Sequence, residues 1–328
     1  MKEIRLGTIG SGVIVETLLD QVMKTEGVGL TAVYSRTAET GLRLAGKYGV
    51  SAVYSDLDTF FTSDDFDCVY IASPNSLHYS QTKQALLAGK HVWCEKPFCT
   101  SARQAEELYA LARERGLMLA EAVPTAFYPN LEILRQQLPK IGRLRLVQGN
   151  YSQYSSRYDV LRDGTGLPNV FNPEFGGGCL VDINFYNVYL NVALFGKPEQ
   201  VTYFPNLHSG GADTSGILIL QYGDFVSQAT GAKDCWNDCS FSIQGEDGFI
   251  QIPGSNGLAR IRVVTRTGEE ILNDQPDPNR LSYEVNRLTD IFLREDHKAL
   301  EELAQTTVTT MNVLEEARAS AGIRYPWE

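Results

Sequence analysis

The sequence predicts an α/β protein with a doubly wound parallel sheet in its first part and a large, open, mostly antiparallel sheet in its second. Up to residue 122, short continuous apolar runs alternate with amphipathic stretches, as in a sheet covered on both faces. A glycine turn joins the first apolar run to the first amphipathic stretch. After residue 122, apolar runs follow one another with few helices between them. We therefore predict two domains, 1–122 and 123–328.

The elements of the first domain follow from this alternation. The predicted strands are 4–9, 30–34, 53–54, 68–72, 91–94 and 118–122, and the predicted helices are 13–23, 38–48, 77–88 and 102–115. This order is typical of a Rossmann dinucleotide-binding domain.

In the second domain, we predict a helix over 129–138, a strand over 143–154 and a loop over 155–175. The glycines Gly176–Gly178 then lead into a helix over 180–194, which ends at Gly196. Several strands are expected within 201–272, and helices over 283–294 and 300–319 close the chain. One sheet face left uncovered would favour self-association, so we expect a homodimer formed through this sheet.

Composition limits the classes of partner. The net charge of -11 argues against a general nucleic-acid or anionic-membrane binder. No apolar run approaches the roughly 20 residues that span a bilayer, and the N-terminus resembles a strand rather than a signal peptide. We expect a cytoplasmic protein whose partners are small molecules and copies of itself. The six cysteines are expected to be reduced, and Cys235 and Cys239 lack the further ligands of a zinc site, so no metal is predicted.

A nucleotide-binding turn is predicted between the first strand and the first helix. It consists of Gly10, Ser11, Gly12, Val13 and Ile14. The first glycine permits the tight turn, the second lets the backbone approach a diphosphate, and the diphosphate would rest on the helix N-terminus. Val15 replaces the third glycine of the usual fingerprint, so the helix should stand slightly further from the strand.

The end of the second strand selects between the two nicotinamide cofactors. Here the chain has Ser35, Arg36 and Thr37, with no carboxylate at the strand end. An arginine there accommodates a 2′-phosphate, so NADP is favoured over NAD. Arg36 could instead be a solvated residue at a helix start, and Glu39 could compete by approaching the ribose.

The loops after two neighbouring strands should border the cofactor. One contains Ser73, Pro74 and Asn75, and the other contains Glu95 and Lys96. A lysine can give or take a hydroxyl proton and donate to a developing alkoxide, so Lys96 is the predicted catalytic group. Glu95 would orient Lys96 or compensate its charge.

Further candidates lie outside this loop. His78 is placed in the cofactor site, although packing or capping is commoner than catalysis at a helix start. Asn75 would be a cap or a hydrogen-bond partner on the nicotinamide side. Asp182 and Tyr186 are four apart on one predicted helix, and they could orient substrate hydroxyls or hold Lys96; the alternative is a helix-start carboxylate and a core aromatic ring.

The irregular segment begins with Tyr154, Arg157 and Tyr158. Loops commonly carry specificity, so Tyr154 and Arg157 are candidate substrate-binding residues. They could equally be exposed loop residues.

Taken together, these residues resemble the Gfo/Idh/MocA family of oxidoreductases over essentially the whole chain. The matching residues are Gly10, Gly12, Ser73–Asn75, His78, Ala88–Val92, Glu95–Pro97, Gly176–Gly178, Asp182 and Tyr186. The resemblance implies a Rossmann domain, a C-terminal α/β domain with an open sheet, bound NAD(P) and frequent dimerisation through that sheet. It also implies that Lys96 is the catalytic lysine and Asp182 its substrate-side partner.

Tyr186 resembles the dihydrodiol dehydrogenase and glucose-fructose oxidoreductase branches, since many other members have histidine at that position. Ala126 and Asn184 depart from the dihydrodiol dehydrogenase pattern, which usually has arginine and glycine there. We therefore expect an NADP-preferring dehydrogenase or reductase of a sugar, cyclitol or dihydrodiol-like carbinol. The competing hypotheses are a non-catalytic NADP sensor and a lyase or hydrolase that uses NAD redox-neutrally.

Overall fold

The computed structural model describes residues 2–328, which divide into two compact units. The first unit contains the residues up to Val123 together with Asn279–Thr307, and the second contains Pro124–Pro278 and Val308–Glu328. The expected division at residue 122 differs from this in one respect, since 279–307 belong to the first unit. The reason is that the helix over 280–294 carries an apolar stripe, and its Phe292 packs on Trp93 of the first sheet at 5.7 Å between ring centres.

The first unit is built on a six-stranded parallel sheet with the strand order β3-β2-β1-β4-β5-β6. Its strands are β1 (Ile4–Ile9), β2 (Val28–Tyr34), β3 (Ala52–Tyr54), β4 (Cys68–Ile71), β5 (His91–Glu95) and β6 (Leu119–Ala122). Its helices are α1 (Val13–Val22), α2 (Ala38–Tyr48), α3 (Leu57–Thr62), α4 (Asn75–Leu87) and α5 (Ala102–Glu114). The order reverses between β1 and β4, which confirms the predicted doubly wound sheet.

The second unit contains an eight-stranded sheet with the order β14-β13-β12-β11-β7-β10-β9-β8. Its strands are β7 (Leu144–Ser152), β8 (Gln200–Leu207), β9 (Asp213–Gln221), β10 (Val226–Ala232), β11 (Ser240–Gly245), β12 (Gly248–Ile252), β13 (Ile261–Thr265) and β14 (Gly268–Leu272). Only β7 and β10 pair in parallel, so the predicted mostly antiparallel sheet is confirmed.

The remaining helices include two differences from the sequence-based prediction. They are α6 (Pro129–Gln137), α7 (Ser156–Arg162), α8 (Cys179–Asp182), α9 (Asn184–Phe195), α10 (Arg280–Arg294) and α11 (His297–Ser320). Helix α7 lies within the expected loop 155–175, where the side chain of Ser155 accepts a hydrogen bond from the N–H of Arg157 and caps it. The single helix predicted over 180–194 is divided at Ile183 into α8 and α9.

Helix α9 is held to the sheet by buried amides. The side chain of Asn184 donates to the carbonyl of Ala229 at 3.0 Å, and that of Asn187 donates to the carbonyl of Thr230 at 3.0 Å. Both asparagines are fully buried. Asn184, which departs from the dihydrodiol dehydrogenase pattern, therefore fastens α9 to β10. Within residues 2–328, the structure has no helix long and apolar enough to cross a membrane.

Candidate active site

The glycine turn after β1 has the geometry that a diphosphate requires. Gly10 has a φ of +115°, and a Cβ atom there would lie 2.6 Å from the carbonyl oxygen of Ala72. Gly12 is the N-cap of α1 and offers no side chain to its N–H groups, while Val13 is 84% exposed. The first N–H groups of α1 thus fit an anionic ligand.

The side chains at the end of β2 differ in exposure. Ser35 is buried, whereas Arg36 and Thr37 are exposed. The hydroxyl of Thr37 is 2.7 Å from that of Thr40, and Glu39 lies in the first turn of α2. Arg36 is thus an exposed guanidinium at the carboxyl edge of the sheet, the position expected for binding a 2′-phosphate.

His78 connects the loops that follow β4 and β5. Its Nε2 lies 2.9 Å from the carbonyl oxygen of Ser73, and its Nδ1 lies 2.9 Å from that of Pro97. The imidazole is 1% exposed, and burial lowers its pKa. His78 therefore contacts both loops from the protein interior and exposes little surface that a ligand could touch. Asn75 is the first residue of α4, and Pro74 rather than Asn75 is the N-cap.

Three buried side chains hold the backbone around Lys96. Glu95 accepts a hydrogen bond from the N–H of Lys96 at 3.2 Å, and Glu121 on β6 accepts one from the N–H of Phe98 at 3.0 Å. His78 contacts the intervening carbonyl of Pro97. Three consecutive residues of this loop are thus tied to side chains from β5, α4 and β6. Glu95, expected to bind the cofactor, is buried and has a supporting position.

Burial raises the pKa values of three carboxyl groups of the first unit. Burial raises the pKa of Glu95, although the hydroxyl of Tyr70 donates to it at 2.5 Å and opposes this effect. Burial also raises the pKa of Glu121 to about 7. Glu284 of α10 is 0% exposed, its carboxyl oxygens have no hydrogen-bond partner, and burial raises its pKa well above the usual value. Burial thus favours the protonated form of Glu284.

In the second unit, Asp182 forms an ion pair that the sequence did not reveal. It lies at the end of α8, and its Oδ2 accepts a hydrogen bond from Nζ of Lys233. The side chain of Lys233 is only 6% exposed, while that of Asp182 is 29% exposed. This arrangement joins the predicted substrate-side carboxylate to a buried ammonium.

The start of α8 is fixed by another carboxylate, that of Asp213, which is buried. Asp213 accepts hydrogen bonds from the N–H of Leu180 at 2.7 Å and from the hydroxyl of Tyr203 at 2.6 Å. Gly178 has a φ of +148°, and a Cβ atom there would lie 2.2 Å from Oδ1 of Asp213. The absence of a side chain at Gly178 permits this close approach.

The other candidates of the second unit lie on α9, on α7 and in the segment just before α7. Tyr186 is 4% exposed and its ring lies 5.7 Å from that of Tyr151. It belongs to α9, whereas Asp182 ends α8, so the expectation of one helix carrying both is corrected. The hydroxyl of Tyr154 donates to Asp159 at 2.8 Å, and Arg157 is exposed on α7.

Sequence reasoning missed Glu284, Lys233 and Asp213. Asp213 is the first residue of β9 and Lys233 follows β10, in a region where the sequence predicted strands without individual limits. Glu284 lies within the apolar stripe of α10, an unusual place for a carboxylate that could have been noticed. Across residues 2–328, no group of three or more His, Cys, Asp or Glu side chains is placed to hold a metal ion.

Comparison with known proteins supplies the family. Residues 4–123 match the profile of the GFO_IDH_MocA oxidoreductase family with an NAD-binding Rossmann fold, and 137–251 match its C-terminal domain. The chain is 39% identical over 325 residues to scyllo-inositol 2-dehydrogenase (NADP(+)) IolU of Bacillus subtilis, covering 98% of both chains. It is 26% identical to trans-1,2-dihydrobenzene-1,2-diol dehydrogenase of Mus musculus, again covering 98% of both chains.

The solved structures agree on the fold. KijD10, a 3-ketoreductase from Actinomadura kijaniata in complex with NADP and TDP-benzene, superimposes with a TM-score of 0.86 at 22% identity, covering 97% of this chain and 98% of that one. An inositol dehydrogenase homolog from Azotobacter vinelandii, complexed with NADH and myo-inositol, gives a TM-score of 0.83 at 16% identity, covering 98% of this chain and 96% of that one. The chain therefore belongs to the GFO/IDH/MocA family of oxidoreductases and is an NAD(P)-dependent dehydrogenase or reductase acting on CH–OH groups.

Proposed function

We propose that the protein is an NADP-preferring polyol dehydrogenase, with a cyclitol such as scyllo-inositol as its substrate. The observation that carries this proposal is the 39% identity, along almost the whole chain, to a scyllo-inositol 2-dehydrogenase that uses NADP. The exposed Arg36 and the carboxylate-free end of β2 support the same cofactor from this chain's own residues.

The roles of the side chains follow from their chemistry. The nicotinamide of bound NADP would supply the hydride acceptor. Lys96, on a loop tied to buried side chains, would take the proton of the hydroxyl being oxidised. Asp182 would accept hydrogen bonds from neighbouring hydroxyls, and Tyr186 would act as an auxiliary donor. We further propose that Arg157 and Tyr154 contribute to substrate selection.

A substrate panel tests the proposal. Purified protein is incubated with NADP or NAD and with scyllo-inositol, myo-inositol, aldoses or a trans-dihydrodiol, and reduced cofactor is followed by its absorbance. We expect turnover with NADP and a cyclitol to exceed that with the other substrates. Greater turnover with the dihydrodiol would reassign the substrate. Tight NADP binding without turnover of any compound would favour the sensor instead.

Substitution of Arg36 tests the cofactor preference. Arg36→Ala removes the cation proposed to bind the 2′-phosphate, so we expect the affinity for NADPH to fall roughly 10- to 100-fold and the affinity for NADH to stay nearly constant. Fluorescence titration with each nucleotide measures both. Arg43→Ala is the matched control, because Arg43 is also exposed on α2 and pairs with Glu16. Equal weakening of both nucleotides would refute the preference.

We also propose a homodimer formed through the outer face of the eight-stranded sheet. The register places Phe204, Ile217 and Thr230 side by side on β8, β9 and β10. Phe204 is 62% and Ile217 is 41% exposed. Next to this row, β7 contributes Gln148 and Asn150 to the same face. An open face with exposed apolar side chains and no charge in this row is suited to association with a second copy.

A charge placed on this face should separate the dimer. We expect Ile217→Lys to be monomeric at micromolar concentrations, because a dimer would bury an unpaired ammonium in the interface. Light scattering coupled to gel filtration measures the mass. Leu42→Lys places the same charge on an exposed position of α2 and should leave the mass unchanged. Wild-type protein that elutes as a monomer would exclude this interface.

A further inference from the structure

We propose that Lys233 is a positioning residue of the substrate site, which holds the carboxylate of Asp182 in one orientation. The inference rests on the proposed function, in which Asp182 binds substrate hydroxyls. Lys233 lies outside both the nucleotide-binding turn and the loop that contains Lys96.

The ion pair is asymmetric in its exposure. Nζ of Lys233 forms the ion pair with Oδ2 of Asp182. The ammonium is also 5.2 Å from the centre of the Phe171 ring, a cation–π contact that makes its position more specific. With its side chain 6% exposed, Lys233 is itself shielded from solvent, whereas Asp182 retains 29%. Lys233 therefore contacts Asp182 from the protein interior, while the carboxylate stays partly exposed.

The backbone of Lys233 is fixed by the sheet. Its N–H donates to the carbonyl of Thr214 at 2.8 Å, and its carbonyl accepts from the N–H of Ser155 at 2.9 Å. These bonds continue the pairing of β10 on both of its sides. The ammonium is thus presented from a rigid position, which a positioning residue requires.

Helix α8 has only four residues and is fastened at both ends by charged side chains. Asp213, at the start of β9, binds the N–H of Leu180 near the first residue of the helix. Lys233, directly after β10, binds Asp182 at the last residue. Because β9 and β10 are paired, the two fastening residues belong to one rigid part of the sheet. A carboxylate on so short a helix depends on such supports for its orientation.

Removal of the ammonium should weaken substrate binding selectively. In Lys233→Met, Asp182 keeps its charge but loses the group that orients it, so we expect KM for the polyol to rise roughly 10- to 100-fold with a smaller change in kcat. NADPH binding should change less than about threefold. Lys197→Met is the matched control, because it removes an exposed ion pair with Glu316 in the same unit and should leave KM unchanged.

A double-mutant cycle separates positioning from general destabilisation. If Lys233 acts through Asp182, Lys233→Met should have almost no further effect on KM in an Asp182→Asn background. Equal losses in both backgrounds would overturn the proposal. The double variant also lacks both charges, so it should fold even if Lys233→Met alone does not.

Crystal structures make the inference testable apart from the proposed function. In Lys233→Met, or in Lys233→Gln if the former does not fold, we expect the Asp182 carboxylate to rotate or become disordered while α8 remains in place. An unchanged carboxylate would overturn the positioning role. A rotated carboxylate in a protein that turns over no polyol would instead refute only the proposed function.

Discussion

Replacing Lys96 with methionine is expected to lower kcat by roughly 10²- to 10⁴-fold, the range typical for removal of a general acid–base group. Methionine keeps the unbranched chain but can neither donate nor accept the reacting proton. The loop itself should persist, because Glu95, His78 and Glu121 bind the main chain of residues 96–98, which the substitution leaves unchanged. Stopped-flow and steady-state assays with NADP and the polyol measure the loss.

The nucleotide supplies the control measurement for this variant. NADPH affinity should remain within about threefold of wild type, since the proposed diphosphate contacts come from the glycine turn and the start of α1. Lys83→Met, on the exposed side of α4, should retain full activity. A Lys96→Met enzyme that keeps more than a tenth of wild-type kcat would require another proton-transfer group.

Replacing Glu284 with glutamine is expected to stabilise the protein progressively as the pH rises. Burial raises the pKa of Glu284 in the folded state, so folded protein retains a proton that unfolded protein has released. Unfolding is therefore favoured as the pH rises from about 4.5 toward the folded pKa. The slope is at most about 1.4 kcal/mol per pH unit. Glutamine resembles the protonated acid and removes this dependence.

Urea unfolding at pH 5, 6.5 and 8 measures the effect as a difference in the free energy of unfolding between Glu284→Gln and wild type. The difference should be smallest at pH 5 and largest at pH 8. Glu106→Gln, at an exposed position of α5, should show no such trend. A constant difference across these pH values would mean that Glu284 is already ionised in the folded protein.

Within residues 4–122, the Rossmann sheet and most of its helices could be predicted because their signals are local. Its strands are short and mostly apolar, and the predicted and observed limits of β1 and α2 are identical. Helix α3 was missed because it is only six residues long, although Asp56 is a recognisable cap that accepts from the N–H of Thr59 at 2.8 Å. Short helices carry too little periodicity to be distinguished from a loop.

The supports of the candidate site could not be predicted, since they join residues far apart in the chain. Lys233 meets Asp182 across 51 positions, and Glu121 meets Thr307 across 186. Sequence spacing predicts neither pair, because both depend on which strand lies beside which helix. The break between α8 and α9 has the same origin: Asn184 binds a strand carbonyl, and its amide in an apolar stretch gives no local sign of a helix start.

The hydrogen bond that His78 donates depends on which of its two ring nitrogens carries the proton. Both neighbours of the ring, the oxygens of Ser73 and Pro97, can only accept hydrogen bonds, and the neutral imidazole has a single N–H. Since burial favours that neutral form, one tautomer binds the segment after β4 and the other binds the segment after β5. Exchange between tautomers transfers the bond from one strand end to its neighbour while the net charge of the protein stays the same.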